Sequence, residues 1–109
     1  MKWYKLFSAD VLHGADFIKR VEVSGRKLCV VKISDKIFVI QNSCPHAGAD
    51  LSSGWCRNGN IVCPYHRHEF ELATGRGIAG QGNYVNTYPV ESRDDGIYVG
   101  LKDSWWKFW

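Results

Sequence analysis

Polar and apolar residues alternate most clearly from Phe17 to Ile40. Val21 and Val23 are flanked by polar neighbours and run into Ser24-Gly25, the signal of a two-residue hairpin turn. Leu28-Cys29-Val30-Val31-Lys32-Ile33 follows, apolar on both faces except for Lys32, as expected of a central or barrel strand. Ser34-Asp35 turns the chain, and Lys36-Ile37-Phe38-Val39-Ile40 returns it. The last third repeats the pattern, with Thr87-Tyr88-Pro89-Val90-Glu91, a turn at Arg93-Asp94-Asp95-Gly96, and Ile97-Tyr98-Val99-Gly100-Leu101. Pro89 cannot donate to a ladder, so its strand is expected at an edge or a bulge. Helical spacing occurs only from Ser8 to Lys19, through Val11, Leu12, Ala15 and Ile18. The pattern predicts an all-β protein whose sheet residues lie at both ends of the chain.

The middle, Gln41 to Asn83, differs in kind. It holds three of the four histidines, three of the four cysteines and seven of the eleven glycines. Such a segment is not expected to bury a core of its own size, and a metal centre would hold it in shape.

At 109 residues the chain is one domain in length. Its 45% apolar and 23% charged residues are the balance of an ordinary globule rather than a disordered tail. A net charge of +3, with scattered lysines and arginines, argues against nucleic-acid binding. No run of eighteen apolar residues predicts a membrane span. Met1 to Asp10 has neither a continuous apolar stretch nor a small-residue cleavage site, so a cytoplasmic setting is expected. In a reducing compartment Cys29, Cys44, Cys56 and Cys63 read as ligands or core residues before disulfides.

Two arms carry the chemistry: Cys44-Pro45-His46 and Cys63-Pro64-Tyr65-His66. Each offers a thiolate and an imidazole, donors suited to iron, zinc or copper. A proline in each arm fixes φ and stiffens the turn. The sixteen residues between the arms leave room for a hairpin at Asn58-Gly59, with Asn60-Ile61-Val62 leading into Cys63. Zinc fingers usually pair like ligands within an arm. Mixed arms suit a two-iron centre, with both cysteines on one iron and both histidines on the other. A Cys2His2 zinc module that only staples the fold is the alternative in a different class.

The segment from Asn42 to about Gly75 resembles the Rieske [2Fe-2S] family. Beyond the arms it matches in Gly48, Leu51, Gly54, Phe70, Thr74 and Gly75. The resemblance implies an antiparallel β-barrel or sandwich base, about 1–41 and 84–109, with an inserted cluster-binding subdomain, about 42–83. It implies one [2Fe-2S] cluster, with Cys44 and Cys63 on the inner iron and His46 and His66 on the outer, more exposed iron. The function implied is that of a soluble low-potential ferredoxin. Such a protein carries one electron at a time between a reductase and a terminal oxidoreductase and has no substrate site of its own. A small subunit of a nitrite-reductase-like or oxygenase complex is the alternative within the family. An oxygenase catalytic subunit would need a further domain with a mononuclear iron site.

The chain departs from the family pattern at several positions. Arg67 stands where the family usually has glycine, and it needs a turn compatible with a Cβ. Gly75 to Gly82 replaces a proline-rich cover over the cluster and is expected to be more flexible. In high-potential members, hydroxyls two and four residues after the second histidine donate to cluster sulfur; here those residues are His68 and Phe70. The extra cysteines that form a disulfide in the respiratory and photosynthetic members correspond to Ala49 and Tyr65. These differences imply a midpoint below about 0 mV. Cys29 and Cys56 read as structural, His13 as a surface residue, and Asp94-Asp95 as a turn. The tail residues Trp105, Trp106, Phe108 and Trp109 are expected to fold back onto the barrel; if exposed, they would instead offer a contact to a partner.

Overall fold

The computed structural model describes residues 1–45, 48–65, 67–78 and 83–102. These form strands β1 (Lys2–Phe7), β2 (Phe17–Val23), β3 (Arg26–Ile33), β4 (Lys36–Gln41) and β5 (Trp55–Arg57). After them come β6 (Asn60–Val62), β7 (Glu69–Glu71), β8 (Thr87–Tyr88), β9 (Val90–Arg93) and β10 (Gly96–Leu101). Three antiparallel sheets result, ordered β1-β10-β9, β2-β3-β4-β8 and β5-β6-β7. The all-β expectation holds.

The hairpins sit where the turn residues predict them. Ser24-Gly25 and Asn58-Gly59 both take positive φ at each position (51° and 79°, 52° and 79°), which matches the right-handed twist of the flanking strands. The helical expectation from Ser8 to Lys19 fails. Only Ala9–His13 winds, as a 3₁₀ helix, and Phe17 already opens β2. Residues Phe17 to Val23 pair with β3 along their whole length, and that tertiary pairing overrides a weak local spacing. Strand β1, which had no clear alternation, forms because β10 offers it a partner almost a hundred residues away.

Pro89 separates two strands rather than kinking one. Strand β8 before it belongs to the four-stranded sheet, and β9 after it belongs to the sheet of β1 and β10. The chain therefore changes sheets at a residue with no N–H to lose, while the Pro89 carbonyl accepts from Gly100 N–H at 2.9 Å.

Successive residues of β3 and β4 point to opposite faces, and each face has its own core. Leu28, Val30 and Val39 face the β1-β10-β9 sheet and pack with Val99 and Leu101. Cys29, Val31 and Ile40 face the other way and pack with Cys44, Leu51, Ile61, Cys63, Phe70, Leu72 and Val85. The middle segment thus contributes several fully buried apolar side chains, and strands β3 and β4 supply the opposite wall that it does not build for itself.

Lys32, the exception in β3, is 2% exposed. Its ammonium donates to the carbonyls of Gly14 at 2.7 Å and Ser34 at 2.6 Å, and lies 3.5 Å from Asp16 Oδ1. A buried ammonium needs such partners. Here they tie the loop before β2 to the β3–β4 turn.

Candidate metal centre

The first arm follows β4. Asn42 is buried at its base; its carbonyl accepts from Leu51 N–H at 2.6 Å, and its Oδ1 accepts from Ser52 N–H at 3.2 Å. These bonds return the chain to its starting point after ten residues, so the intervening loop is held at its neck. Sequence reasoning gave Asn42 no role, because its neck contacts appear only once the loop has closed. The second arm is the connection between β6 and β7, whose register pairs Val62 with Glu69.

The two loops share a geometry. Cys44 N–H donates to the Ala49 carbonyl at 2.8 Å, and Cys63 N–H donates to the His68 carbonyl at 2.7 Å. Each cysteine therefore closes a loop onto the fifth residue after it. The fourth residue after each cysteine is left-handed: Gly48 at φ 70° and Arg67 at φ 55°. Arg67 adopts the glycine conformation while carrying a side chain, at a cost of about 1–2 kcal/mol. The loop keeps its shape although Arg67 stands where the family usually has glycine.

Cys44 and Cys63 are both buried in the same core cluster, close enough for each to act on the other's charge. Burial pushes the Cys63 thiol up, the Tyr65 backbone N–H pulls it down, and Cys44 beside it pushes it up again. Two thiolates this close would repel each other in a buried place unless a cation stood with them. The donor set therefore suits a metal, with an N–H already directed at one sulfur. His46 and His66 lie outside the described residues, as do residues 79–82 of the expected cover and the aromatic tail from residue 103. No group of three or more histidine, cysteine or carboxylate side chains stands together among the described residues.

The other readings can be placed. Cys29 is buried, and Cys56 packs partly buried against the same core; all four cysteines are free thiols. His13 is exposed and Asp94-Asp95 is a turn. Arg57, on β5, reaches the Glu69 carboxylate at 2.6 Å and braces the sheet under the second loop. Ala49 and Tyr65 hold no bridging sulfur; Tyr65 instead points outward, 60% exposed.

Two cysteine-closed loops on a β base, each with a histidine in its sequence, suit a metal-binding domain. The Rieske [2Fe-2S] domain model matches residues 2–89, and the chain belongs to that family. It is 28% identical over 103 residues to the ferredoxin component of the naphthalene 1,2-dioxygenase system of Pseudomonas putida, spanning 93% of this chain and 97% of that protein. Its structure superimposes on the ferredoxin of carbazole 1,9a-dioxygenase from Nocardioides aromaticivorans IC177 with a TM-score of 0.82, at 27% identity, covering 94% of this chain and all of that one. A chain from a complex of reduced oxygenase and oxidised ferredoxin in carbazole 1,9a-dioxygenase also matches, with a TM-score of 0.77 and 27% identity over 89% of this chain and 91% of that chain. The resident cofactor is a [2Fe-2S] cluster, and the function is one-electron transfer of the ferredoxin kind.

Proposed function

We propose that this protein carries electrons from a reductase to the terminal oxygenase of a dioxygenase-type system, without a substrate site of its own. The family and the ferredoxin relatives support the reading, and the paired loops are the observation that carries it. In this proposal Cys44 and Cys63 hold the inner iron, and His46 and His66 hold the outer one. The base is about 1–41 and 84–109, and the cluster-binding subdomain about 42–83. When bound, the cluster accepts and releases one electron without any bond being made or broken to a substrate.

The remaining work falls to the chain. The buried loop necks at Asn42 and at the Val62–Glu69 pair hold the loops still, which keeps reorganisation small. The Tyr65 N–H stabilises negative charge on the Cys63 sulfur. The two cysteines not assigned to iron, Cys29 and Cys56, are unbridged, which suits a reducing, cytoplasmic compartment. The deciding experiment is iron and sulfide analysis with EPR of the dithionite-reduced protein, beside His46→Ala. A Rieske signal and a midpoint below about 0 mV are expected for the parent protein, and no such signal for the variant. A His46→Ala protein with full iron, sulfide and an unchanged spectrum would falsify the ligand assignment.

A further inference from the structure

The two loops are almost free of charge. Residues 44–49 contain no lysine, arginine, aspartate or glutamate, and residues 63–68 contain one such residue, Arg67. Its side chain is exposed and makes no hydrogen bond or ion pair among the described residues. Arg57 nearby differs, because its guanidinium is held by Glu69. Among the described residues, three of the five exposed large hydrophobic residues, Tyr65, Ile78 and Tyr84, belong to the second loop or lie near the segment 79–82. Exposed Pro45 lies beside Tyr84, lining a shallow depression with it. Among the described residues one end of the molecule is therefore an apolar rim to which the two loops contribute one cation, Arg67, displayed at a left-handed position that disfavours a side chain, while exposed Arg76 stands across the rim beside Tyr84.

We infer that Arg67 is the docking charge of the electron-exit face, and that it fits a redox partner protein presenting a carboxylate within an otherwise uncharged contact surface. The inference rests on the reading that His46 and His66 carry the outer iron, one residue from Arg67. An apolar rim excludes water when a partner seats, and a charge on the loop beside the second histidine then selects the partner's sign and register. The guanidinium suits a carboxylate because its planar fork matches two oxygens.

The test needs no cognate partner. The dithionite-reduced holoprotein is mixed with hexacyanoferrate(III), a trianion, and separately with hexaammineruthenium(III), a trication. In each reaction the protein loses one electron and the probe metal gains it. Arg67→Glu is compared with Lys36→Glu, an equal change of charge at the far end of β4, about 16 Å along the strand from Gln41. At low ionic strength Arg67→Glu should slow the anion about tenfold and speed the cation, after correction for any change in midpoint. Lys36→Glu should move either rate by less than about twofold, and Arg67→Lys should keep the parent rates within about twofold. Hexacyanochromate(III), an inert paramagnetic anion, provides a readout without electron transfer: it should broaden amide signals near loop 63–68 in the parent and not in Arg67→Glu. Equal effects of Arg67→Glu and Lys36→Glu in a protein with an intact Rieske spectrum would overturn the inference alone. Absence of a reducible cluster in the parent would overturn the reading beneath it as well.

Discussion

The two cores on opposite faces of β3 and β4 are built differently. On one face Leu28, Val30 and Val39 meet Val99 and Leu101 from another sheet, so two layers interlock through side chains on long strands. On the other face Cys29, Val31 and Ile40 meet a segment whose strands are three residues long. That segment is shaped by short backbone hydrogen bonds and close approaches, with apolar anchors at Leu51, Ile61 and Phe70 beneath. The first core joins two sheets of longer strands through side chains. The second adds tight backbone approaches such as Gly54 against the Val62 carbonyl, and it presents the loops. The support and the loop-bearing tip are thus separated by one strand pair.

The sharpest way to break this contrast is to remove a ligand. Cys44→Ala should abolish bound iron and the visible spectrum completely. Because Leu51, Ile61 and Phe70 remain buried, only loops 44–49 and 63–68 should lose protection in hydrogen exchange, and strands β3 and β10 should keep theirs. Global unfolding of the variant would show that the second core cannot stand without metal.

Gly54→Ala probes a close approach in the second region. A Cβ there would overlap the Val62 carbonyl oxygen, so β6 must shift away. Destabilisation of about 3 kcal/mol is expected from denaturant titration. A change below 1 kcal/mol would mean that the segment yields more easily than its contacts imply.

Arg67→Gly reports on loop strain. Relief of the left-handed cost outweighs the extra freedom glycine gives the unfolded chain, and a net gain of about 0.5–1 kcal/mol is expected. A lower melting temperature would contradict the strain argument.

Cys29 sharpens the comparison chemically. Burial pushes its thiol up to about 12, with nearby Cys56 adding to the effect. At pH 8 the native protein should therefore leave Cys29 unreacted with iodoacetamide while partly buried Cys56 reacts slowly. Mass spectrometry of the labelled protein decides it, and rapid labelling of Cys29 would show that the core opens readily.

The smallest effect concerns Glu69, whose carboxyl is held below its ordinary value near 4.5 chiefly by the hydrogen bond from Arg57. A depressed folded value stabilises the fold at higher pH and withdraws that support as pH falls through it. Arg57→Ala should therefore flatten the fall in melting temperature below about pH 4.5, modestly, because Arg57 is largely exposed.

Local chemistry carried much of this protein into view before any fold was known. Ser24-Gly25 and Asn58-Gly59 form their turns because turn geometry is decided by the two residues in them. The mixed arms at Cys44 and Cys63 are legible because ligand type and spacing are properties of a short stretch. The apolar run of β3 announced a strand covered on both faces, and both faces are covered. The misses have a common cause. Strand β1 exists through β10, β2 replaces a helix because β3 pairs with it, and Glu69–Glu71 becomes a strand only beside β6. The matching shape of the two loops, with Arg67 in the place of Gly48, is invisible until their backbones close. Sequence by itself determined which groups are present and which turns they favour. Tertiary structure decided which distant segments meet, since pairing energy between strands depends on partners that local preference does not contain.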